Sequence, residues 1–292
     1  MLRASRWIEA AQAVSDEGAS LGLPPTDLAC EFADTIAAGC VHPRALSLLS
    51  RAILFVAGFV YIDARFECDE SAPIAGIVSN HISWADVLIH CWLFSPSFVA
   101  AHYVRNAPIV GKMSTAMKCI FVNRDTAGGT GVSGQIRDRM AATMRDESVP
   151  PVVVFAEGTT TNGSYLLPFK KGAFIAALPL KMATIRYEWA GSGSVSPAWE
   201  SIGALRHILL MLCTLTHSAS VTIERIEPDG GNVGSAGEGA GGEPGGGAEA
   251  YASKCRERML ARASFKPSGS SWKDKQEYHR KLLAAIDGTK QK

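Results

Sequence analysis

Two short, wholly apolar runs limit the fold of this chain more than any other feature. They are Ile74–Val78 (IAGIV) and Val152–Ala156 (VVVFA), and each ends directly before polar residues. Apolar runs of this length predict buried β-strands. Further strands are predicted at Phe98–Tyr103, Cys119–Val122, Met182–Tyr187 and Val221–Ile226. Because helical stretches alternate with these strands, the sequence predicts an α/β domain with a mixed sheet flanked by helices.

The overall composition excludes several classes of protein. The chain has 292 residues, is 47% hydrophobic and carries a net charge of +1. Such a charge argues against a nucleic-acid-binding protein, so an anion site would need a local cluster of basic residues. The seven cysteines are scattered and never form C-x-x-C. This pattern fits neither a disulfide framework nor a zinc ribbon, and it predicts reduced thiols.

The chain divides into five predicted segments. Residues 1–44 are predicted to form peripheral helices, and 45–62 an apolar, membrane-associated helix. The α/β core is expected at 63–227. Residues 228–249 contain ten glycines and no Lys or Arg, which predicts a flexible insertion. Two charged helices in 250–292 are expected to pack on the core.

The predicted helix at 45–62 is the segment closest to a membrane-spanning length. It is uncharged except for Arg51, but it is shorter than the roughly 20 apolar residues that cross a bilayer. An arginine near the start suits a helix lying at the membrane surface, with its charge reaching the headgroups. A buried core helix is the alternative interpretation.

The stretch VSNHISWADVLI contains a histidine and a carboxylate five residues apart. His81 follows the first apolar run, and Asp86 lies where a helix is predicted to begin. An imidazole that takes a proton from an alcohol near neutral pH needs a partner that orients its ring. The spacing therefore predicts a general base, His81, held by Asp86.

A stretch without acidic residues follows this pair. Between Asp86 and Asp125 there is no Asp or Glu, whereas the basic residues are Arg105, Lys112, Lys118 and Arg124. Soluble surfaces usually mix charges of both signs, so this run predicts a phosphate-binding region. Arg124, at the end of a predicted strand, is the best candidate, and Lys112 and Lys118 are further ones. A merely solvated basic face remains the alternative.

A glycine pattern offers a competing function. Residues 129–134 match G-x-G-x-x-G, a helix is predicted after them, and the acidic Glu157 lies 23 residues beyond Gly134. This order is typical of dinucleotide-binding proteins. However, six residues separate the preceding strand from Gly129, whereas that fold needs the turn directly at the strand end. A mobile loop is therefore the preferred interpretation.

The second apolar run leads into Glu157-Gly158-Thr159-Thr160-Thr161-Asn162-Gly163. A carboxylate followed by glycine and hydroxyl side chains predicts a polar turn suited to a hydroxylated or phosphorylated ligand. An ordinary Asn-Gly turn is the alternative.

Three of these segments together resemble the glycerolipid acyltransferases. Asn80-His81 with Asp86 resembles the first block of that family (N-H-x4-D), FVNR at 121–124 the second, and FAEGT at 155–159 the third, in the family's order. The chain is also similar to the lysophosphatidylethanolamine and lysophosphatidylcholine acyltransferases, plant forms especially, in three further stretches: EGTTTNG, YLLPFKKGAF and YASKCRERM. The similar region covers about residues 44 to 285.

The resemblance implies a direct transfer of an acyl chain from acyl-CoA to the free hydroxyl of a lysophospholipid. His81 would be the base and Asp86 its orienting acid. Arg124 would hold the phosphate of the acceptor, with Glu157, Gly158 and Thr159 at its glycerol end. Asn80 or a nearby backbone amide would support the thioester oxyanion.

The family also implies partners and location. Acyl-CoA would be a co-substrate, with no metal and no further cofactor. The enzyme would work at a membrane surface, at the endoplasmic reticulum with its catalytic domain facing the cytosol. Two alternatives remain: a non-catalytic membrane-surface protein that uses 45–62 for docking, and a dinucleotide-binding oxidoreductase.

Overall fold

The computed structural model of the protein describes residues 43–122, 130–189, 195–199, 204–213, 217–229 and 246–289. Three predictions therefore lie wholly or largely outside the described residues. They concern the N-terminal helices before Pro43, the phosphate-binding role of Arg124, and the glycine-rich insertion, of which 230–245 is not described.

Helices and strands alternate along the described chain. The helices are α1 (Pro43–Val56), α2 (Ala85–Phe94), α3 (Pro108–Ala116), α4 (Thr130–Thr143), α5 (Ala204–Leu212), α6 (Gly246–Ala263) and α7 (Trp272–Thr289). The strands are β1 (Phe59–Phe66), β2 (Gly76–Ser79), β3 (Ser97–Ala101), β4 (Ile120–Val122), β5 (Val152–Phe155), β6 (Tyr165–Leu166), β7 (Leu180–Trp189), β8 (His217–Ile226) and β9 (Lys266–Pro267). Short 3₁₀ turns occupy His102–Asn106 and Lys171–Ala173.

Seven strands form one mixed sheet in the order β1-β8-β7-β2-β5-β3-β4. Strands β7 and β8 pair antiparallel, and all other neighbours in this sheet pair parallel. The two apolar runs of the sequence supply β2 and β5, which lie side by side in its middle. Parallel strands buried on both faces are expected to be continuously apolar, as these are. The predicted mixed sheet is confirmed.

Helices cover both faces of the sheet. On one face, α1, α2 and α5 bury Leu54, Ile89 and Met211 against the strands. On the other face, α4 and α6 bury Met140 and Tyr251. The three layers confirm the predicted α/β class, because each helix hides one apolar side against the sheet.

The predicted apolar helix at 45–62 is wrong in its second half. Helix α1 ends at Val56, and residues from Phe59 onward form the edge strand β1. Gly58 adopts a positive φ of 91°, a conformation that glycine tolerates and that ends the helix. The β-branched and aromatic residues after it then pair with β8. None of the described helices is long and apolar enough to cross a bilayer.

The position of Arg51 also differs from the prediction. Its guanidinium donates to the carbonyls of Phe59 and Val60 at 3.2 and 3.0 Å, and it lies over the ring of Trp92. The side chain therefore fastens α1 to the start of β1, instead of extending toward lipid headgroups.

The described part of the glycine motif, residues 130–134, is helical where a mobile loop was predicted. Helix α4 begins at Thr130, so Gly131 and Gly134 lie within its first two turns. A dinucleotide site needs glycines in the turn between strand and helix. The position of these two glycines therefore disfavours the oxidoreductase alternative.

Candidate active site

The candidate site lies at the carboxyl edge of the central parallel strands. His81 follows β2, Glu157 follows the neighbouring strand β5, and Tyr187 lies near the carboxyl end of β7 on the other side of β2. In open α/β sheets, ligands bind in the crevice outside the carboxyl ends of the strands. The topology thus gathers residues more than 100 positions apart around His81.

His81 and Asp86 form the predicted pair. The Nδ1 atom of His81 lies 2.8 Å from Asp86 Oδ2, and the imidazole ring stacks on Phe155 with centroids 3.9 Å apart. A carboxylate only accepts hydrogen bonds, so Nδ1 carries the proton and Nε2 presents its lone pair. The histidine side chain is 18% exposed, and no described residue bonds to Nε2. This nitrogen can therefore accept a proton from a substrate.

Asp86 is fully buried, and its charge is compensated by hydrogen bonds. Besides His81, the amide N–H groups of Ile82 and Ser83 donate to Oδ2 at 2.6 and 2.9 Å. The hydroxyl of Tyr187 donates to the other oxygen, Oδ1. Four donors stabilise a carboxylate that would otherwise be costly to bury. Its position in the first turn of α2 adds the favourable end of the helix dipole.

The backbone on either side of the histidine ring is tightly held. The His81 N–H donates to Glu157 Oε1 at 3.0 Å, and its carbonyl accepts from the Thr161 N–H at 2.8 Å. The next carbonyl, of Ile82, accepts from Trp199 N–H at 2.9 Å. These bonds fix the main chain from which the His81 ring projects, so a reaction at this ring would need little reorganisation.

Asn80 does not point at the site through its amide group. Its Nδ2 donates to the carbonyl of Ile185 at 2.9 Å, and its Oδ1 accepts from the Ile185 N–H at 2.8 Å. The side chain joins the end of β2 to β7 and is buried. The Asn80 amide group is thus used to join the two strands, and the oxyanion donor of the site stays a prediction.

Glu157 supports the backbone instead of facing a ligand. Only 2% of the residue is exposed, and its two oxygens accept from the N–H groups of His81 and Leu167 at 3.0 and 2.9 Å. Burial raises the pKa of this carboxyl to about 7, while the two amide donors act in the opposite direction. Both carboxylate oxygens of Glu157 are thus occupied by backbone N–H groups. The structure therefore does not support the predicted contact of Glu157 with the glycerol end of the acceptor.

Gly158 and Thr159 continue the same turn beside His81. Gly158 has a positive φ of 70°, and a β-carbon there would lie 2.5 Å from Lys170 Nζ. Glycine is therefore favoured by the backbone conformation, whereas the end of the Lys170 side chain could move aside. Thr159 is mostly buried, and its hydroxyl makes a long contact of 3.5 Å with the next carbonyl. Both residues shape the wall of the site.

The two predicted phosphate-binding lysines lie away from His81. Lys118 precedes β4, at the amino edge of the sheet, because β4 is parallel to its neighbours. Lys112 lies midway along α3, which returns from the carboxyl edge to the amino edge. The structure therefore does not bring Lys112 or Lys118 to the candidate site. Arg105, in the turn after β3, is exposed at the carboxyl edge with its guanidinium 5.7 Å from the ring centre of Phe121.

Two neighbours of the pair were not predicted from the sequence. Tyr187 was predicted only to be part of a strand. Because side chains alternate along a strand, Tyr187 shares a face with Ile185 and Ala183, and this face of β7 packs toward α2. His90, one helical turn after Asp86, is fully buried among Phe94, Phe98 and Phe155. Burial lowers the pKa of His90 to about 4, so this imidazole is neutral.

Comparison with known proteins agrees with this geometry. Residues 71–187, which include His81, Asp86 and Glu157, match the acyltransferase family. This region of the chain is therefore similar to an acyltransferase domain. The resemblance to glycerolipid acyltransferases that the sequence motifs predicted is confirmed.

Particular relatives to which the chain is similar carry the names of the predicted branch. It is 35% identical to the lysophospholipid acyltransferase LPEAT1 of Arabidopsis thaliana over 204 residues, which are 61% of this chain and 50% of that protein. It is 32% identical to lysophosphatidylcholine acyltransferase 2 of Mus musculus over 185 residues, 63% of this chain and 32% of that protein. The chain thus spans half or less of these relatives.

Two further proteins are similar to this chain, one over a shorter part of it and one over a longer part. The lyso-ornithine lipid O-acyltransferase of Brucella abortus (strain 2308) is 36% identical over 109 residues, 37% of this chain and 38% of that protein. A crystal structure of the 1-acyl-sn-glycerophosphate acyltransferase PlsC from Thermotoga maritima superposes with a TM-score of 0.44 at 16% identity, covering 77% of this chain and 83% of that chain.

Proposed function

We propose that the protein is an acyltransferase that moves a fatty acyl chain from acyl-CoA to the free hydroxyl of a lysophospholipid. One observation carries the proposal: an Asp86-bound histidine presents an unpaired Nε2 at the carboxyl edge of the sheet. The acyltransferase match over residues 71–187 supports the reaction class. The names of the relatives support a lysophospholipid acceptor.

The reaction needs one proton carrier. His81 Nε2 takes the proton of the acceptor hydroxyl as that oxygen attacks the carbonyl carbon of the thioester. The carbon–sulfur bond then breaks, and the protonated His81 returns the proton to the departing CoA thiolate. Asp86 stabilises the imidazolium between these steps. General-base catalysis of this kind is worth about 10²–10⁴ in rate.

The phosphate of a lysophospholipid needs a cation at the same edge. Arg124 lies two residues after β4 in the sequence and remains our candidate for this role. Arg105 lies in the 3₁₀ turn after β3, and β3 itself is two strands, or roughly 10 Å, from β2. We propose that these two guanidinium groups hold the acceptor phosphate on the β4 side of His81.

The acceptor and donor can be identified with purified full-length protein. Radiolabelled oleoyl-CoA is offered with lysophosphatidylethanolamine, lysophosphatidylcholine, lysophosphatidate or lyso-ornithine lipid, and the lipid products are separated. We expect label in a diacyl phospholipid together with stoichiometric release of free CoA thiol. Transfer to lyso-ornithine lipid, which lacks phosphate, would argue against the phosphate contact. Absence of transfer to every acceptor would favour the non-catalytic membrane-surface alternative.

The donor class needs a separate comparison. The same acceptors are incubated with labelled phosphatidylcholine in place of acyl-CoA. Label in the product from this donor alone would contradict acyl-CoA as the co-substrate.

An exposed apolar surface supports membrane docking. The α1/β1 apolar patch consists of large side chains that are 50–73% exposed on α1 and at the start of the edge strand: Leu48, Phe55, Val56 and Val60. Large apolar side chains that remain exposed are a feature of sites of contact with proteins or membranes. We propose that this patch rests on the membrane that supplies the acceptor, with the endoplasmic reticulum as the location that the family resemblance favours.

Replacing Phe55 with serine tests this membrane proposal. Because a large apolar side chain contributes about 1.5–3 kcal/mol when it is buried, we expect vesicle affinity to fall roughly ten-fold or more. Sedimentation with phosphatidylcholine vesicles measures the binding. Turnover of a short-chain, monomeric lysophospholipid should stay unchanged, because the patch does not touch His81.

Tyr278→Ser is the matched control for Phe55→Ser. It removes an equally exposed aromatic side chain from α7. Equal losses of vesicle affinity in both variants, or none in Phe55→Ser, would contradict docking through the α1/β1 apolar patch.

A further inference from the structure

Tyr187 is bonded to the oxygen of Asp86 that His81 leaves unused. Its hydroxyl donates to Asp86 Oδ1, while His81 Nδ1 lies 2.8 Å from Oδ2. Tyr187 and Asp86 are both buried, and 101 positions of sequence separate them. Three side chains from three elements thus form one continuous chain of hydrogen bonds that ends at the open Nε2 of His81.

The position of the tyrosine hydroxyl is set by packing. The Tyr187 ring lies 5.3 Å from the ring of Phe59, which is fully buried at the start of β1. Strand β7 itself lies between β2 and β8 and is hydrogen-bonded to both. A ring held in this way has few alternative positions, so its hydroxyl stays in place against the carboxylate.

We propose that Tyr187 is a positioning residue for the acyl transfer, acting on His81 through Asp86. This inference rests on the proposed function and adds a residue to it. The hydroxyl fixes the rotation of the carboxyl group, so that Oδ2 remains directed at Nδ1. It also draws negative charge toward Oδ1 and thereby limits how strongly Asp86 favours the imidazolium form of His81.

The charged and titratable groups around His81 define what a pH measurement will report. They are Asp86 and His90 on α2, Glu157 after β5 and Tyr187 on β7. Burial and the charge of Asp86 raise the pKa of Tyr187 well above its ordinary value, so it remains a donor throughout an assay. Glu157, with a pKa of about 7, is present in wild type and variant alike, so its titration cancels in a comparison.

The variant Tyr187→Phe keeps the ring and removes only the hydroxyl. Hydrogen bonds to charged groups are worth about 1.5–3 kcal/mol, so a loss of kcat of at least roughly ten-fold is expected. KM for both substrates should stay within two-fold, because the Tyr187 hydroxyl is bonded to Asp86. The acidic limb of the kcat/KM profile should move to higher pH, because Asp86 then holds the protonated imidazole more strongly.

Tyr251→Phe is the matched control. The Tyr251 hydroxyl is also buried and donates to the carbonyls of Leu178 and Ile226 at 3.1 and 2.8 Å, on the other face of the sheet. Its removal should lower the unfolding temperature about as much as Tyr187→Phe does, while kcat and the pH profile stay as in wild type. If both variants match wild type in kcat and in the pH profile, or if both lose kcat equally, the positioning role is wrong.

A measurement without turnover keeps this inference separate from the proposed function. In ¹⁵N-histidine-labelled protein, the Nδ1 proton of His81 in its bond to Asp86 gives a strongly downfield proton signal. The signal should shift in Tyr187→Phe and not in Tyr251→Phe. An unshifted signal would overturn the role of Tyr187, whereas a wild-type protein with this signal but no acyl transfer would contradict the proposed function alone.

Discussion

Replacing His81 with alanine should lower kcat for acyl transfer by about 10³-fold or more while leaving the protein folded. The loss follows from the removal of the group that takes the acceptor proton, since general-base catalysis supplies about 10²–10⁴. The fold should survive because Asp86 keeps its bonds to Ile82, Ser83 and Tyr187. Release of CoA thiol and formation of labelled phospholipid, both measured with purified protein, report the rate.

A second histidine provides the control for His81→Ala. His279 lies on α7, and its replacement by alanine should leave turnover unchanged. Circular dichroism and the unfolding temperature of both variants establish that they are folded. Substantial turnover by folded His81→Ala protein would remove the central assignment and with it the proposed mechanism.

Local sequence patterns were sufficient to predict the parts of the structure that are set by residues close together in the chain. The apolar runs predicted β2 and β5, because only strands buried on both faces tolerate such continuous apolar sequence. The spacing of His81 and Asp86 was also sufficient, since one strand end and one helical start bring the two side chains together. In both cases the interacting residues are neighbours in the chain.

The prediction of a single helix over residues 45–62 was wrong because the apolar run continues across the turn at Gly58. Residues 45–62 are apolar apart from Arg51 and two serines, but Gly58 ends α1 and the remainder joins the sheet as β1. Apolar content alone cannot separate a helix from a strand when a glycine interrupts the run. The sequence signal that was available is this glycine, followed by Phe59-Val60-Tyr61-Ile62 with its high strand preference.

The roles of the site residues required the order of the strands. Glu157 was expected to face the acceptor, but pairing of β2 with β5 directs its carboxylate to the His81 N–H. Lys118 was expected near phosphate, but the parallel direction of β4 places it at the opposite edge. Tyr187 reaches Asp86 only because β7 is the other neighbour of β2. No spacing in the sequence contains this information.

Glu157→Gln separates the supporting role of this residue from a substrate-binding role. Glutamine has one acceptor oxygen, so its amide nitrogen would face the N–H of either His81 or Leu167, two groups that only donate. Loss of one bond and an unpaired buried donor should cost about 1–3 kcal/mol of unfolding free energy. Because the His81 backbone loosens, we expect kcat to fall roughly ten-fold or more, with little change in KM for the acceptor. A large rise in KM at constant kcat would instead show that Glu157 binds substrate.

The pH dependence of stability gives Glu157→Gln a second signature. Burial raises the pKa of Glu157 from 4.5 to about 7, so the folded protein binds this proton more tightly than the unfolded chain. Its contribution to the unfolding free energy is therefore largest below pH 4.5 and declines, by roughly 3 kcal/mol, as the pH rises to about 7. Urea unfolding of both proteins between pH 5 and 8 should show this decline in wild type and a flatter curve in the variant.

Glu249→Gln, which removes an exposed carboxylate 3.2 Å from Lys171 Nζ, should keep the wild-type curve. Parallel curves for wild type and Glu157→Gln would mean that this carboxyl does not titrate as a buried group, and the backbone-supporting role assigned to it would lose its physical basis.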